Sequence, residues 1–348
     1  MPERASAHPV RRAFDVQAEW CERLGSPFTA RLCAVLGRLI DRDGPIGDRL
    51  LDWPGDAEKD ALALRLCGGL HHLVRSGAAP ALAALYPPAP IPDERDLAAA
   101  LGPLLAQPGL GLDSWLDRPP QTNEVGRSGP LMSGLLAAAD LFPMPLRLFE
   151  LGASAGLNLQ LDRYAHQLGG TVAGDPESAV AIAPEWTGGP PPRRPILVAA
   201  RAGVDLDPVD PAAHGDRLLA YVWPDQAHRL AALEAALEMA RRGPPPVATG
   251  DAAAWIEQAL VVDPEPGRLR VVFHSVAFVY FPPKTQARIV ARLAAAGRQA
   301  SLEAPLAWLR MEKVPDEPEF SLRLRTWPGE DRLLAWTHPH GSWVEWLG

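Results

Sequence analysis

Between residues 12 and 116 apolar residues recur at three- and four-residue spacing, the mark of helices that bury one face. Residues 13–24 and 29–40 carry this pattern, with Ser26-Pro27 as the break between them. Residues 60–75 repeat it, placing Leu62, Leu66, Leu70 and Val74 on one side. Pro92 and Asp93 open a further helix over 93–105. No strand-like alternation precedes residue 145, and no internal repeat is visible.

The pattern changes near Pro143. Residues 146–151 form a short apolar run, followed by a small-residue turn and a helical stretch to Gln167. Similar runs occupy 195–204, 246–249 and 269–280. Helical patterns at 225–242 and 252–260 separate the last three, and another spans 285–296. Strands alternating with helices predict a parallel sheet covered on both faces, which explains strands that are apolar throughout. Residues 320–327, the turn Pro328-Gly329-Glu330 and residues 332–337 predict an antiparallel hairpin, and 342–346 one more strand. The expected fold is α/β: a Rossmann-like doubly wound sheet with a C-terminal antiparallel hairpin, behind an all-helical N-terminal domain. The expected boundary falls at 120, with an insertion near 170–195.

Composition narrows the function classes. The 348 residues are 47% hydrophobic and 22% charged, and the net charge is −8. That argues against general nucleic-acid binding. Cys21, Cys33 and Cys67 are odd in number and lack CxxC spacing, so they read as buried thiols of a cytoplasmic protein rather than a disulfide framework or metal site. The N-terminus shows no apolar leader, and no uncharged run is long enough to span a membrane.

The strongest local signal is Glu150-Leu-Gly152-Ala-Ser154-Ala-Gly156-Leu-Asn158, between a strand and a predicted helix. Small residues let the backbone turn sharply and approach a ligand, with free amides facing it. A dinucleotide-binding GxGxxG would need glycines where Ser154 and Leu157 stand. The same letters also match the GxSxG elbow of serine hydrolases, with Ser154 as nucleophile and Asp251 and His274 as partners. Against the elbow, a hydrolase needs strands upstream.

Four further signals follow in chain order. In Arg201-Ala-Gly-Val-Asp205 an acid at a strand tip suits a ribose, because a carboxylate accepts two hydrogen bonds. Asp175 is the alternative, nearer the usual distance from the glycine loop. Gly250-Asp251-Ala252 ends a strand, with Asp251 an adenine contact or a helix cap. His274-Ser275, running on to Tyr280, ends the fourth strand, and His274 is a candidate general base. Gln121-Thr-Asn123-Glu124-Val-Gly-Arg127 is a dense polar cluster ahead of the glycine-loop strand, with Arg127 expected near a carboxylate and Asn123, Glu124, Ser275 and Tyr280 on the substrate side.

Taken together, QTNEVGR, LFELGASAGLNLQLDRY, RAGVDLDPVD, YVWPDQAHRLAALEAA, VATGDA and VFHSVAFVY resemble an uncharacterised bacterial family with a methyltransferase-like core. The resemblance covers essentially the whole chain. It implies the architecture above and names no substrate. The broader similarity is to class I methyltransferases. It implies S-adenosylmethionine as cofactor, with Glu150, Gly152, Ser154, Gly156 and Asn158 in its loop. Asp205 would hold the ribose, Asp251 the adenine, and a small molecule or protein would accept the methyl group. Ser154 in place of a middle glycine, and His274-Ser275 in place of the usual acceptor motif, are departures.

Overall fold

The computed structural model describes residues 8–260 and 264–348; residues 1–7, part of the stretch read for a leader, lie outside it. The chain divides into two compact units. One comprises residues 1–122 with 214–230, and the other 123–213 with 231–348. The sequence reading placed 214–230 wholly in the C-terminal part.

The first unit is helical. Its elements are α1 (Pro9–Arg23), α2 (Pro27–Leu39), α3 (Pro45–Leu51), α4 (Leu62–Arg75), α5 (Pro80–Ala83), α6 (Glu94–Ala106) and α7 (Leu112–Leu116). Proline opens four of them, where its missing N–H costs nothing and its fixed φ fits the first turn. Phe14, Leu32, Leu36, Leu66 and Leu70 are fully buried in one core. The Asp225 carboxylate caps α2, accepting from Ser26 Oγ and, at 2.9 Å, from Phe28 N. The three cysteines are free, and the sulfurs of Cys33 and Cys67 stand 3.6 Å apart.

The second unit carries the sheet. Its first elements are α8 (Ser128–Leu141) and β1 (Leu146–Leu151). An excursion follows: β2 (Ala165–Leu168), β3 (Thr171–Gly174), β4 (Ala181–Ile182) and β5 (Glu185–Gly188). Then come β6 (Val198–Asp205), α9 (Pro211–Ala220), which belongs to the first unit from residue 214 on, α10 (Ala227–Arg242), which belongs to the second unit from residue 231 on, β7 (Val247–Thr249), α11 (Ala252–Ala259) and β8 (Leu269–Ser275). The chain ends with α12 (Pro283–Gly297), β9 (Leu306–Lys313), β10 (Phe320–Trp327), β11 (Asp331–Thr337) and β12 (Trp343–Trp346).

The nine-stranded sheet runs β5-β12-β11-β10-β9-β8-β1-β6-β7. Strands β7, β6, β1, β8 and β9 are parallel. In chain order they are the third, second, first, fourth and fifth, the doubly wound arrangement whose crevice opens between the first and fourth. Strands β10 to β12 continue as an antiparallel meander. The fold is therefore α/β, a Rossmann-like sheet finished by antiparallel strands and preceded in sequence by helices. No described strand precedes β1.

Three differences from the sequence reading matter for the site. The stretch after the glycine loop is a seven-residue 3₁₀ segment, Leu157–Arg163, not a helix to Gln167. Arg201 pins it, donating to Leu159 O at 2.6 Å and to both oxygens of Asp162, and Gly169-Gly170 then turns the chain into the β2–β3 pair. The fourth strand stops at Ser275, because Val276 turns to φ 50°. The fifth parallel strand, β9, has no counterpart in the sequence reading.

Candidate functional site

The carboxyl ends of β1 and β8 border the crevice, and the glycine loop leaves β1 there. Its φ angles alternate in sign: Gly152 is at 71°, Ser154 at 52° and Gly156 at 69°, while Ala153 and Ala155 are not positive. Its amides are largely engaged within the fold: Gly152 N and Ala153 N both donate to Val204 O, at 2.9 and 3.0 Å, and Gly156 N donates to Ala153 O at 2.7 Å. Ser154 holds its angle without being glycine, a strained state that needs support. Asp205 supplies it. Its carboxylate accepts from Ser154 N at 2.8 Å and from Asp207 N at 3.0 Å, joining the tip of β6 to the loop.

The polar cluster preceding α8 grips the same loop. Asn123 Oδ1 accepts from Leu157 N at 3.0 Å, and Asn158 donates to Glu124 O. Glu124 itself accepts from Gly126 N. Arg127 donates to Pro339 O at 2.9 Å and to Ser275 O at 3.1 Å, so it fastens the last turn of the chain to the end of β8.

Glu150 is the penultimate residue of β1 and 2% exposed. Its neighbour Phe149 packs with Val272 in the core shared with α11 and α12, so alternation turns Glu150 to the opposite face. Burial, then the charge of Asp205, push its carboxyl well above the ordinary range, against the pull of Arg127. Glu150 Oε2, Ser154 Oγ and Asn158 Oδ1 are all buried without a hydrogen-bond partner. Each orphaned group costs about 1–3 kcal/mol, and three around one turn call for a physical account.

The loop is also tightly packed. A Cβ on Gly152 would stand 2.7 Å from Ala277 Cβ and 3.5 Å from the Phe281 ring. One on Gly156 would meet Pro245 and Val247 within 2.8 Å. Ala277 and Phe281 therefore cover the loop at Gly152.

His274 is placed differently from the expectation. It lies two residues beyond Val272, on the face away from Glu150. Its Nδ1 meets Glu312 Oε1 at 2.6 Å, and its Nε2 accepts from Trp308 Nε1 at 3.1 Å. The ring is thus neutral, with the proton on Nδ1, and neither nitrogen is left to take a proton from a substrate. Both ring nitrogens are thus engaged by protein partners, which does not favour the general-base role expected of this residue. The acid it meets was not recognised in the sequence. Glu312 Oε1 also accepts from Ala277 N and Phe278 N. Burial alone would raise the Glu312 pKa, but the bonds from His274 and the two amides outweigh it and the carboxyl lies below its ordinary value. The available signal was one acid inside the apolar run of β9.

The remaining candidates scatter. Asp251 caps α11 through Ala254 N at 2.9 Å and accepts from Thr285 Oγ1 and Arg288. Asp175 is exposed in the turn after β3, away from the large sheet, and caps Glu177 N. Tyr280 is 77% exposed at the end of a 3₁₀ turn, Phe278–Tyr280. The hydrolase arrangement is not assembled. Ser154 Oγ has no histidine partner, His274 is held by Glu312 and Trp308, and no strand precedes the elbow among the described residues. Among the described residues no group of metal-binding side chains converges, and no helix is long and apolar enough to cross a membrane.

Comparison with known proteins adds a family. A family model described as "Uncharacterized protein conserved in bacteria (DUF2332)" matches residues 11–346. No curated protein matches the chain. A solved structure titled "DhpI-SAH complex structure" matches at 10% identity with a TM-score of 0.19, over 61% of this chain and 80% of that chain. A likeness of that size carries no functional weight.

Proposed function

The chain belongs to the DUF2332 family, and we propose that it is a methyltransferase that binds S-adenosylmethionine at the carboxyl ends of β1, β6 and β7. One observation carries the reading: three buried oxygens without donors, on Glu150, Ser154 and Asn158, surround a single turn of alternating φ. A ligand with an ammonium group and hydroxyls would satisfy acceptors of that kind. The bound cofactor would supply an electrophilic methyl group on a sulfonium.

The residues around it have separable tasks. Glu150 faces the cationic end, and a cation there draws the proton from its carboxyl. Asp205 accepts from the ribose hydroxyls with the lone pairs its two amide donors leave. Leu206, 69% exposed beside it, offers an apolar surface to the base. Asp251 is the candidate adenine contact, in addition to capping α11. Asn123, Glu124 and Arg127 hold the loop in shape, and Ser275 and Tyr280 border the acceptor side. Methyl transfer needs its two reactants aligned, and alignment supplies about 7–11 kcal/mol. With His274 engaged, the acceptor must be one that reacts without a proton being taken by that ring. The net charge of −8 favours a small-molecule or protein acceptor over bulk nucleic acid.

The occupied ring of His274 also favours a second reading, a protein that binds the cofactor without transferring methyl. Calorimetric titration with S-adenosylmethionine and its demethylated product tests both. Binding of either, weakened in Asp205→Ala, supports the site, and no heat with either ligand ends it. Product formed from a panel of small-molecule and protein acceptors separates the enzyme from the binder.

A further inference from the structure

The opposite end of the sheet, at the amino ends of β1 and β8, concentrates positive charge that the proposed reaction does not use. Arg147 of β1 and Arg270 of β8 lie side by side in the parallel register. Each stands two residues before a core residue, Phe149 and Val272, so alternation turns both to the face packed by α11 and α12. Arg292 reaches the same place from α12, where its Nη2 donates to Leu260 O at the end of α11. Arg268 adds a fourth cation, 3.0 Å from Glu265.

Acids do not match these cations. Glu265 is shared between Arg147, at 3.2 Å, and Arg268. Glu257, on α11, is held at both oxygens by Arg288. Arg292 bonds a neutral group, the Leu260 carbonyl, and its Nε is buried without a partner. Arg270 is the extreme case. It is 4% exposed, and its Nε and Nη2 are buried with no hydrogen-bond partner. Burial lowers its pKa, and the charges of Arg147 and Arg292 push the same way against the pull of Glu265. Like charges on neighbouring strands repel, and a buried charge without a counter-ion is strongly destabilising. An anion among these side chains removes both penalties.

We infer that Arg147, Arg268, Arg270 and Arg292 form a binding site for a phosphate dianion, either the free ion or the phosphate group of a small ester. Guanidiniums present forked donors that match phosphate oxygens, and a dianion answers more of this charge than a carboxylate does. Arg147, Arg268 and Arg292 are half-buried on long stems, so the ion approaches from solvent and they close on it beside Arg270. The site lies at the end of the strands away from the glycine loop, and S-adenosylmethionine carries no phosphate. Its test is therefore independent of the methyltransferase reading.

Calorimetric titration of the full chain at fixed ionic strength decides it, with inorganic phosphate, methyl phosphate and acetate as probes. Both phosphates are expected to bind at least roughly tenfold more tightly than acetate. Tighter binding of inorganic phosphate supports the free ion as ligand, and tighter binding of methyl phosphate supports an ester. Arg270→Met keeps an unbranched chain without the charge, and should weaken both phosphates by at least roughly tenfold. Arg292→Gln, at a half-buried helix position, should weaken them by roughly tenfold with the fold intact. No heat with either phosphate, acetate binding as tightly, or phosphate affinity unchanged in Arg270→Met or in Arg292→Gln would each overturn the assignment.

Discussion

The indole N–H of Trp308 donates to Nε2 of His274 at 3.1 Å, and this bond fixes the protonation of the whole cluster. With Nε2 accepting, the proton sits on Nδ1 and serves Glu312. Removing the ring leaves a buried ionised carboxylate short of a donor. His274→Ala should therefore cost roughly 3 kcal/mol of stability in urea denaturation. Full stability with activity lost would instead restore a catalytic role to the ring.

Glu150 should make the protein less stable as pH rises. Its folded pKa is raised above the ordinary value of 4.5, so folding holds its proton. The favourable contribution is complete below the unfolded pKa and disappears as pH climbs through the folded one. Glu150→Gln should flatten that fall and raise the urea midpoint at pH 7–8. The same change should weaken S-adenosylmethionine, whose binding to wild type should release a proton. A midpoint unmoved by the substitution contradicts the buried-acid account.

Ser154 at φ 52° bears a left-handed angle that costs an L residue about 1–2 kcal/mol. Ser154→Gly removes that cost and loosens the unfolded chain, for a net gain of up to about 1 kcal/mol. Ser154→Val should destabilise strongly. A fluorophosphonate should not label the wild-type serine; labelling would revive the hydrolase assignment.

Asp205 and Asp251 should separate in a paired measurement. Asp205→Ala strips the acceptor from Ser154 N and should weaken the cofactor by roughly 1.5–3 kcal/mol. Asp251→Ala removes a cap and should lower stability by about 1 kcal/mol. If cofactor affinity is untouched in Asp251→Ala, its task is confined to the helix end.

Much of this architecture was legible because its cause is local. Strand β1, the turn at Gly152, the two strands of the hairpin and the helices α2, α4 and α6 follow from periodicity, proline and glycine. The rest depends on partners far along the chain. The segment after Gly156 reads as a helix until Arg201 of a later strand binds Asp162 and Leu159. The run 269–280 reads as one strand until Glu312 takes the amides of Ala277 and Phe278. Glu312 lay unnoticed for the same reason: nothing near it in sequence announces that His274 will be its donor. Asp251 carried two readings in the sequence, and its bond to Ala254 N makes the helix cap visible while leaving the ligand role to experiment.

The pairing of β5 with β12, in which Glu185 lies opposite Trp343, has a kinetic consequence. During synthesis the excursion strand emerges long before its partner and must remain unmatched meanwhile. The wide sheet can close that border only when Trp343–Trp346 have left the ribosome. Strand-pairing with another nascent copy is the hazard of that interval, so shortening the chain before Trp343 should produce inclusion bodies rather than a soluble, slightly smaller protein.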